Sequence, residues 1–271
     1  MRRFVGFAGL VSWFMVGLSM PMLAQTSSSM SMSRPTPPDL GFLTSYRFHL
    51  NALRLVSSGE SFVWDTDVGA DLDVFDFRSV RGNVLTVFEG VLGEEIRPID
   101  PNQVNYTIDL SLWWRPGKKL GELGTTFHHV SRHLSDRDKL VAIAWNFLGL
   151  QYVQSVQVGL WDFDFGGRGL WKTQRSFVDY AGEVGGYLSM AHSLAQRTSL
   201  TFGGEVTVVP VTQAIKNRNR QIGSRIEVGM RFQGGRGVGE VFVAGERRID
   251  ADPFDLRPTT FTMLGFRFLS R

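Results

Sequence analysis

From Asn102 to Arg115 the chain alternates almost without interruption. Val104, Tyr106, Ile108, Leu110, Leu112 and Trp114 fall on one face, with Asn105, Thr107, Asp109, Ser111 and Arg115 opposite. A period of two is the signature of a strand with one apolar face. Gln221 to Phe232 repeats it: Ile222, Ile226, Val228, Met230 and Phe232 oppose Gly223, Arg225, Glu227, Gly229 and Arg231. In a soluble sandwich the charged face would meet water and the apolar face a core. In a transmembrane barrel the apolar face meets lipid and the charged, glycine-rich face lines the lumen. The length of the stripes favours the barrel. Five or six alternate apolar positions match the ~9 to 11 residues that cross a bilayer on a tilted strand, and exceed the ~5 to 6 of an ordinary strand. Trp113 and Trp114 at one end of a stripe, and Phe266 and Phe268 near the C-terminus, stand where interfacial aromatic girdles are expected.

The rest of the chain fits a barrel of the cell envelope. Arg2 and Arg3 precede an apolar run from Phe4 to about Leu18 and the exit Met22-Leu23-Ala24. This order reads as a secretory signal peptide over residues 1–24, with an uncleaved membrane anchor as the other reading. Its removal takes away two arginines and no acid, so the formal charge falls from +3 to +1 and makes no case for nucleic acid. The Ser-, Met- and Pro-rich stretch that follows reads as a flexible linker over 25–44, leaving 45–271 as the barrel. With no cysteine there is no disulfide framework, so stability must come from burial or from a closed hydrogen-bonded sheet.

Nine further segments read as strands: Tyr46 to Val56, Ser61 to Phe77, Asn83 to Leu92, Leu120 to Ser131, Leu150 to Phe163, Phe177 to Met190, Arg197 to Val209, Val238 to Arg247 and Thr259 to Leu269. Eleven in all is odd, and bacterial single-chain barrels have even counts. Dividing the long Ser61 to Phe77 segment at Gly69 gives twelve, the expected all-β antiparallel architecture, with ten as the next choice. The last strand, with Phe266 and Phe268 close to the end, resembles the C-terminal signal of outer-membrane barrels, so the expected location is the outer membrane of a Gram-negative envelope.

Chemistry concentrates in Phe127-His128-His129-Val130-Ser131-Arg132-His133-Leu134-Ser135-Asp136, which holds three of the five histidines. Pro116-Gly117-Lys118 is a tight-turn signal, and short turns belong to the periplasmic side, so the strand from Leu120 runs outward. Its alternation puts Leu123, Thr125, Phe127, His129, Ser131 and His133 on one face and Gly124, Thr126, His128, Val130 and Arg132 on the other. Leu123 and Phe127 mark the first face as lipid-facing, which brings His129 and Ser131 to the outer wall near the outer leaflet. A serine becomes a nucleophile when a base within ~2.6 to 3.2 Å takes its proton and a third group orients that base. On a lipid-facing wall the nearest substrate is an acyl ester. The competing reading is a polar rim segment where strands leave the membrane. Zinc on His129 and His133 would need a helix and a glutamate where Val130 stands.

Asn146, in Ala144-Trp145-Asn146-Phe147, is the best downstream candidate for the third group. Two conformations are open to it. Ser135 could cap a helix to Leu148, with Asp136 and Asp138 in its first turn and Gly149 as its stop. If the loop ends near Ile143 instead, Asn146 can pair across from the level of His129 and Ser131. Asp136 and Asp138 are hard oxygen donors of the kind calcium takes, although charged loops are usually just solvated. Arg225, Glu227, Arg231, Arg267, Asp109 and Glu205 point into the lumen, where a salt-bridged plug is a simpler reading than a conduction path.

The His-x-Ser pair on a barrel strand, a polar loop and a Trp-Asn before the returning strand resemble outer-membrane phospholipase A. That resemblance implies His129 as base, Ser131 as nucleophile, Asn146 as orienting group, calcium near the loop, membrane lipid as substrate and a homodimer as the active form; the oxygen-donor chemistry of Asp136 makes it the candidate calcium ligand. The family follows its serine with Asn-Gly, where Arg132-His133 stand here. The run His129-x-Ser131-x-His133-Leu134-x-Asp136 also resembles barrel proteins with a His-x-Ser-x-His-Leu-x-Asp signature, for which no activity is implied. The expected function is a serine-dependent hydrolase of membrane lipid esters, with a non-enzymatic barrel for transport or envelope structure as the alternative and a soluble secreted all-β protein as a third reading.

Overall fold

The computed structural model describes residues 40–56, 59–117, 120–135 and 141–270. Twelve antiparallel strands close into one barrel: β1 (Gly41–Leu55), β2 (Trp64–Asp76), β3 (Val80–Gly93), β4 (Asp100–Trp114), β5 (Glu122–Leu134), β6 (Ile143–Val158), β7 (Trp161–Ser176), β8 (Gly182–Ala195), β9 (Thr198–Val209), β10 (Gln221–Gln233), β11 (Gly237–Arg248) and β12 (Thr259–Ser270). Each strand pairs with the next in sequence, and β1 closes on β12, from His49 opposite Leu269 to Leu55 opposite Met263. Closure leaves no unpaired edge, which a sheet inside hydrocarbon requires.

The alternation decides what faces where. Leu110, Leu112, Leu150, Val241, Val243, Leu264 and Phe268 are exposed on the outside, while Asp65, Asp73, Arg81, Asp109, Arg168, Glu183, Glu246 and Arg248 are buried inside. An exposed apolar belt around a charged interior reverses the arrangement of a soluble protein, and it suits a barrel whose outer wall meets lipid. The chain is an outer-membrane β-barrel. Buried charges are tolerable only in company. Arg81 bonds Asp73 at 2.9 Å and Glu122 at 3.0 Å, Arg168 bonds Glu183 at 2.6 Å, and Arg267 reaches Glu227 at 3.0 Å and Glu240 at 2.9 Å.

The two ends of the barrel differ. At one end the connections 77–79, 159–160, 196–197 and 234–236 are tight, and β1 begins and β12 ends there. At the other the connections are longer, up to residues 210–220 and 249–258, which marks the outer side. The outer half of the lumen is filled. One apolar cluster gathers Val130, Trp145, Phe147, Leu170, Tyr180 and Ile249, and a second gathers Leu53, Phe242, Ala251, Phe261 and Met263. The loop after β11 folds inward over them. Tyr180 donates to Asp250 at 2.7 Å, Arg132 to the Asp250 carbonyl at 2.6 Å, and Gln103 to the Ala251 carbonyl at 2.7 Å. Arg218 bridges Asp179 at 3.0 Å and Asp250 at 2.7 Å. Burial pulls the Arg218 guanidinium down, but its bonds to Asp179 and Asp250 outweigh that and hold it above its ordinary value, so the bridge stays charged. Burial and the Asp250 carboxylate push the Tyr180 hydroxyl up, so it remains a donor. In the half nearest the tight turns, a cavity of about 280 Å³ is lined by Arg47, His49, Glu205, Arg231, Glu240 and Arg267, among others.

The expected strand count holds, but the twelfth strand is not where the sequence suggested. β2 runs unbroken through Gly69 to Asp76. The segment read as one strand from Leu150 to Phe163 is instead the end of β6, a turn at Gly159 in the left-handed region (φ 64°), and the start of β7. β7 carries no continuous alternation, because its outward stripe, Trp161, Phe163, Phe165 and Trp171, is interrupted by Gly167 and Gly169, and its inward face carries Gly166. A Cβ at Gly166 would stand 2.5 Å from the Tyr152 carbonyl oxygen and 2.7 Å from the Tyr187 ring, so this glycine reflects close packing inside a strand. The helix considered from Asp136 to Leu148 is overturned from Ile143 onward, where β6 begins. β1 begins at Gly41, inside the stretch assigned to the linker; residues 1–39, with the expected signal peptide, lie outside the described residues.

Candidate active site

β5 runs from the 115–121 turn toward the outer rim, and its side chains sort as their alternation requires. Thr126, His128, Val130 and Arg132 are buried within, while Phe127, His129 and Ser131 are half-buried on the outer wall and His133 is exposed. The inward His128 is a structural residue. Its Nδ1 lies 2.5 Å from Asp109 Oδ1, and Arg168 stands 3.9 Å from the other oxygen of that carboxylate.

On the outer wall the register sets the partners. His129 is directly opposite Asn146 of β6 and Ile108 of β4, and Ser131 is opposite Ala144 and Tyr106. His129 Nδ1 and Asn146 Oδ1 are 2.6 Å apart. The amide nitrogen of Asn146 donates to Gln174 Oε1 of β7 at 3.3 Å, which leaves Oδ1 free to accept from the imidazole. A bulge completes the support: Asn146 is opposite Gln174 and Phe147 opposite Lys172, so Thr173 is the extra residue, and its hydroxyl donates to the Asn146 carbonyl at 3.0 Å. Bulges turn the side chains beside them, and this one sits against the residue that holds His129.

Asn146 Oδ1 can only accept, so His129 carries its proton on Nδ1 and leaves the Nε2 lone pair free to take another. The hydroxyl of Ser131 is bonded elsewhere, to His133 Nε2 at 3.0 Å, with the His133 ring edge-on to Tyr106 at 5.2 Å between centroids. The structure therefore joins His129 to Asn146 and Ser131 to His133, and no hydrogen bond links Ser131 to His129. Gln174 and Thr173 were invisible to sequence reasoning because β7 was not recognised. Asp136 and Asp138 lie outside the described residues, and among the described residues no group of three or more His, Asp or Glu side chains is placed to hold a metal ion.

Depth also matters. Eight residues separate Tyr106, level with Ser131, from Trp114 at the opposite girdle, roughly 20 Å across the membrane once strand tilt is allowed for. Phe88 packs edge-on to Tyr106 at 5.1 Å, both exposed on the outer wall. Ser131 thus sits at the outer aromatic girdle, where acyl chains give way to headgroups.

No protein-family model matches the chain, and no curated protein matches it in sequence. Solved structures do resemble it in fold. An outer membrane channel from Pseudomonas putida F1 aligns with a TM-score of 0.55 at 13% identity over 88% of this chain and 99% of that one. Outer membrane phospholipase A from Escherichia coli aligns at 0.53 and 10% identity over 85% and 98%. The Salmonella typhi outer membrane phospholipase dimer with bound calcium aligns at 0.52 and 10% identity over 88% and 94%. At such identities the likeness is one of fold, and it joins this chain to outer-membrane barrels that include both channels and phospholipases.

Proposed function

We propose that the chain hydrolyses acyl esters of membrane lipid at its outer wall, with Ser131 as nucleophile. The observation that carries this reading is the 2.6 Å bond between His129 and Asn146, made by two residues that the register brings face to face on the lipid side at the depth of an ester. A histidine held through Nδ1 presents Nε2 as a base, and Ser131 is its same-face neighbour two residues along. Ser131 Oγ attacks the acyl carbonyl, His129 takes the hydroxyl proton and later returns it, and donors near the 135–142 loop stabilise the oxyanion. Asn146, supported by Gln174, keeps the imidazole in the required tautomer and orientation.

Calcium and a homodimer belong to this proposal because the Salmonella typhi phospholipase is a dimer with bound calcium. Asp136 is the proposed ligand, and every step above is written with protein groups alone. The test is hydrolysis of diacyl phospholipid in mixed micelles by the purified, heat-modifiable barrel, with and without calcium. Activity should vanish in Ser131→Ala and His129→Ala, and undiminished activity in both variants would sink the proposal.

A second reading, a barrel for transport, is favoured by the charged cavity near the tight turns. The apolar clusters and the Arg218 bridge in the outer half of the lumen oppose it, since they leave the outer mouth filled. Single-channel conductance in planar bilayers would support transport if steady openings appeared.

A further inference from the structure

Ser131 lies between two imidazoles on the same strand face, and the direction of β5 gives them different surroundings. His129 is two residues deeper in the membrane, and His133 is two residues nearer the rim and exposed. An acyl ester reaching Ser131 from the outer leaflet is polarised the same way, with its acyl chain directed into hydrocarbon and its alcohol part toward the headgroups. The leaving oxygen therefore meets the His133 side of the serine. A 3.0 Å contact already joins His133 Nε2 to Ser131 Oγ, so this imidazole touches the reacting atom. Its ring packs perpendicular to that of Tyr106.

Resting on the esterase reading, we infer that His133 is a second catalytic imidazole, the acid for the leaving alcohol and the base for the water that follows. His133 enters as the imidazolium, donating from Nε2 to Ser131 Oγ, while the Ser131 hydroxyl gives its proton to His129 Nε2 and Oγ bonds to the acyl carbon. Collapse of the tetrahedral adduct breaks the bond to the alcohol oxygen, which takes the proton from His133. Water then attacks the acyl carbon and gives a proton to the now neutral His133. Oγ departs with the proton held by His129, and a fatty acid leaves. Both imidazoles end as they began, and no other reactant is needed. Dividing the work places each proton carrier on the side of the ester where its proton is required.

The test varies the leaving group. An alkoxide needs a proton to leave, whereas nitrophenolate does not. His133→Ala and His133→Gln, each checked for heat-modifiable migration, are compared with wild type on a diacyl phospholipid and on p-nitrophenyl octanoate. Phospholipid hydrolysis should fall by about 100-fold or more in both variants. The first-turnover burst of nitrophenolate should match wild type, while its steady-state release, limited by the water step, falls. His129→Ala should lose the burst as well. Wild-type phospholipid hydrolysis in both His133 variants, or loss of the burst equal to the loss on phospholipid, would overturn the assignment. A wild-type barrel that gives no burst and no fluorophosphonate label at Ser131 would overturn the esterase reading itself.

Discussion

His128 and His129 are consecutive residues with opposite fates. His128 points inward, is 1% exposed, and is tied to Asp109 in a lumen where Arg168 and Glu183 complete a charge network. His129 points to lipid, meets the neutral amide of Asn146, and has a serine two residues along the same face. A carboxylate partner in a buried network fixes an imidazole as part of the wall. An amide partner at an accessible surface orients the imidazole without adding charge, which leaves its other nitrogen available. The strand pleat alone creates this division, and chemistry is possible only on the face that a substrate can reach.

The sharpest way to break the contrast is to remove the outer pair. Ser131→Ala should reduce lipid ester hydrolysis to background and His129→Ala should reduce it by about 100- to 10,000-fold, with the barrel still folded by gel mobility. Removing the group that aims the imidazole comes next: Asn146→Ala should lower the rate roughly 100-fold, because a misplaced base loses its alignment with the hydroxyl. On the inner face the same operation should act on stability. His128→Ala removes the hydrogen bond to Asp109 and leaves that carboxylate with Arg168 at 3.9 Å as its remaining partner, which should cost about 1 to 3 kcal/mol in reversible unfolding while leaving ester hydrolysis unchanged. If His128→Ala abolished hydrolysis in a folded barrel, the division between the faces would be wrong. The smallest effect is expected at Gln174→Ala, which removes one supporting hydrogen bond worth about 1 kcal/mol and should slow hydrolysis about fivefold.

The barrel was legible in stretches such as 102–115 and 221–232, because a lipid-facing strand must alternate and must be long. The same logic separated His128 from His129. It failed at β7, where Gly167 and Gly169 interrupt the outward apolar stripe and Gly166, packed against the Tyr187 ring and the Tyr152 carbonyl, adds a third glycine on the inner face, so that a strand imitates a loop. It also left Asn146 between helix and strand, since Trp145, Phe147 and Ile143 suit either when only local spacing is known.

By itself the sequence determined the class of fold, the direction of β5 and the face on which His129, Ser131 and His133 lie, because each follows from a two-residue period and from turn length. Tertiary structure decided the rest. Register across β5 and β6 set Asn146 against His129, the bulge at Thr173 and the amide of Gln174 supported it, and side-chain geometry gave the Ser131 hydroxyl to His133. Those outcomes depend on how neighbouring strands slide past one another, and a local pattern carries no record of the slide.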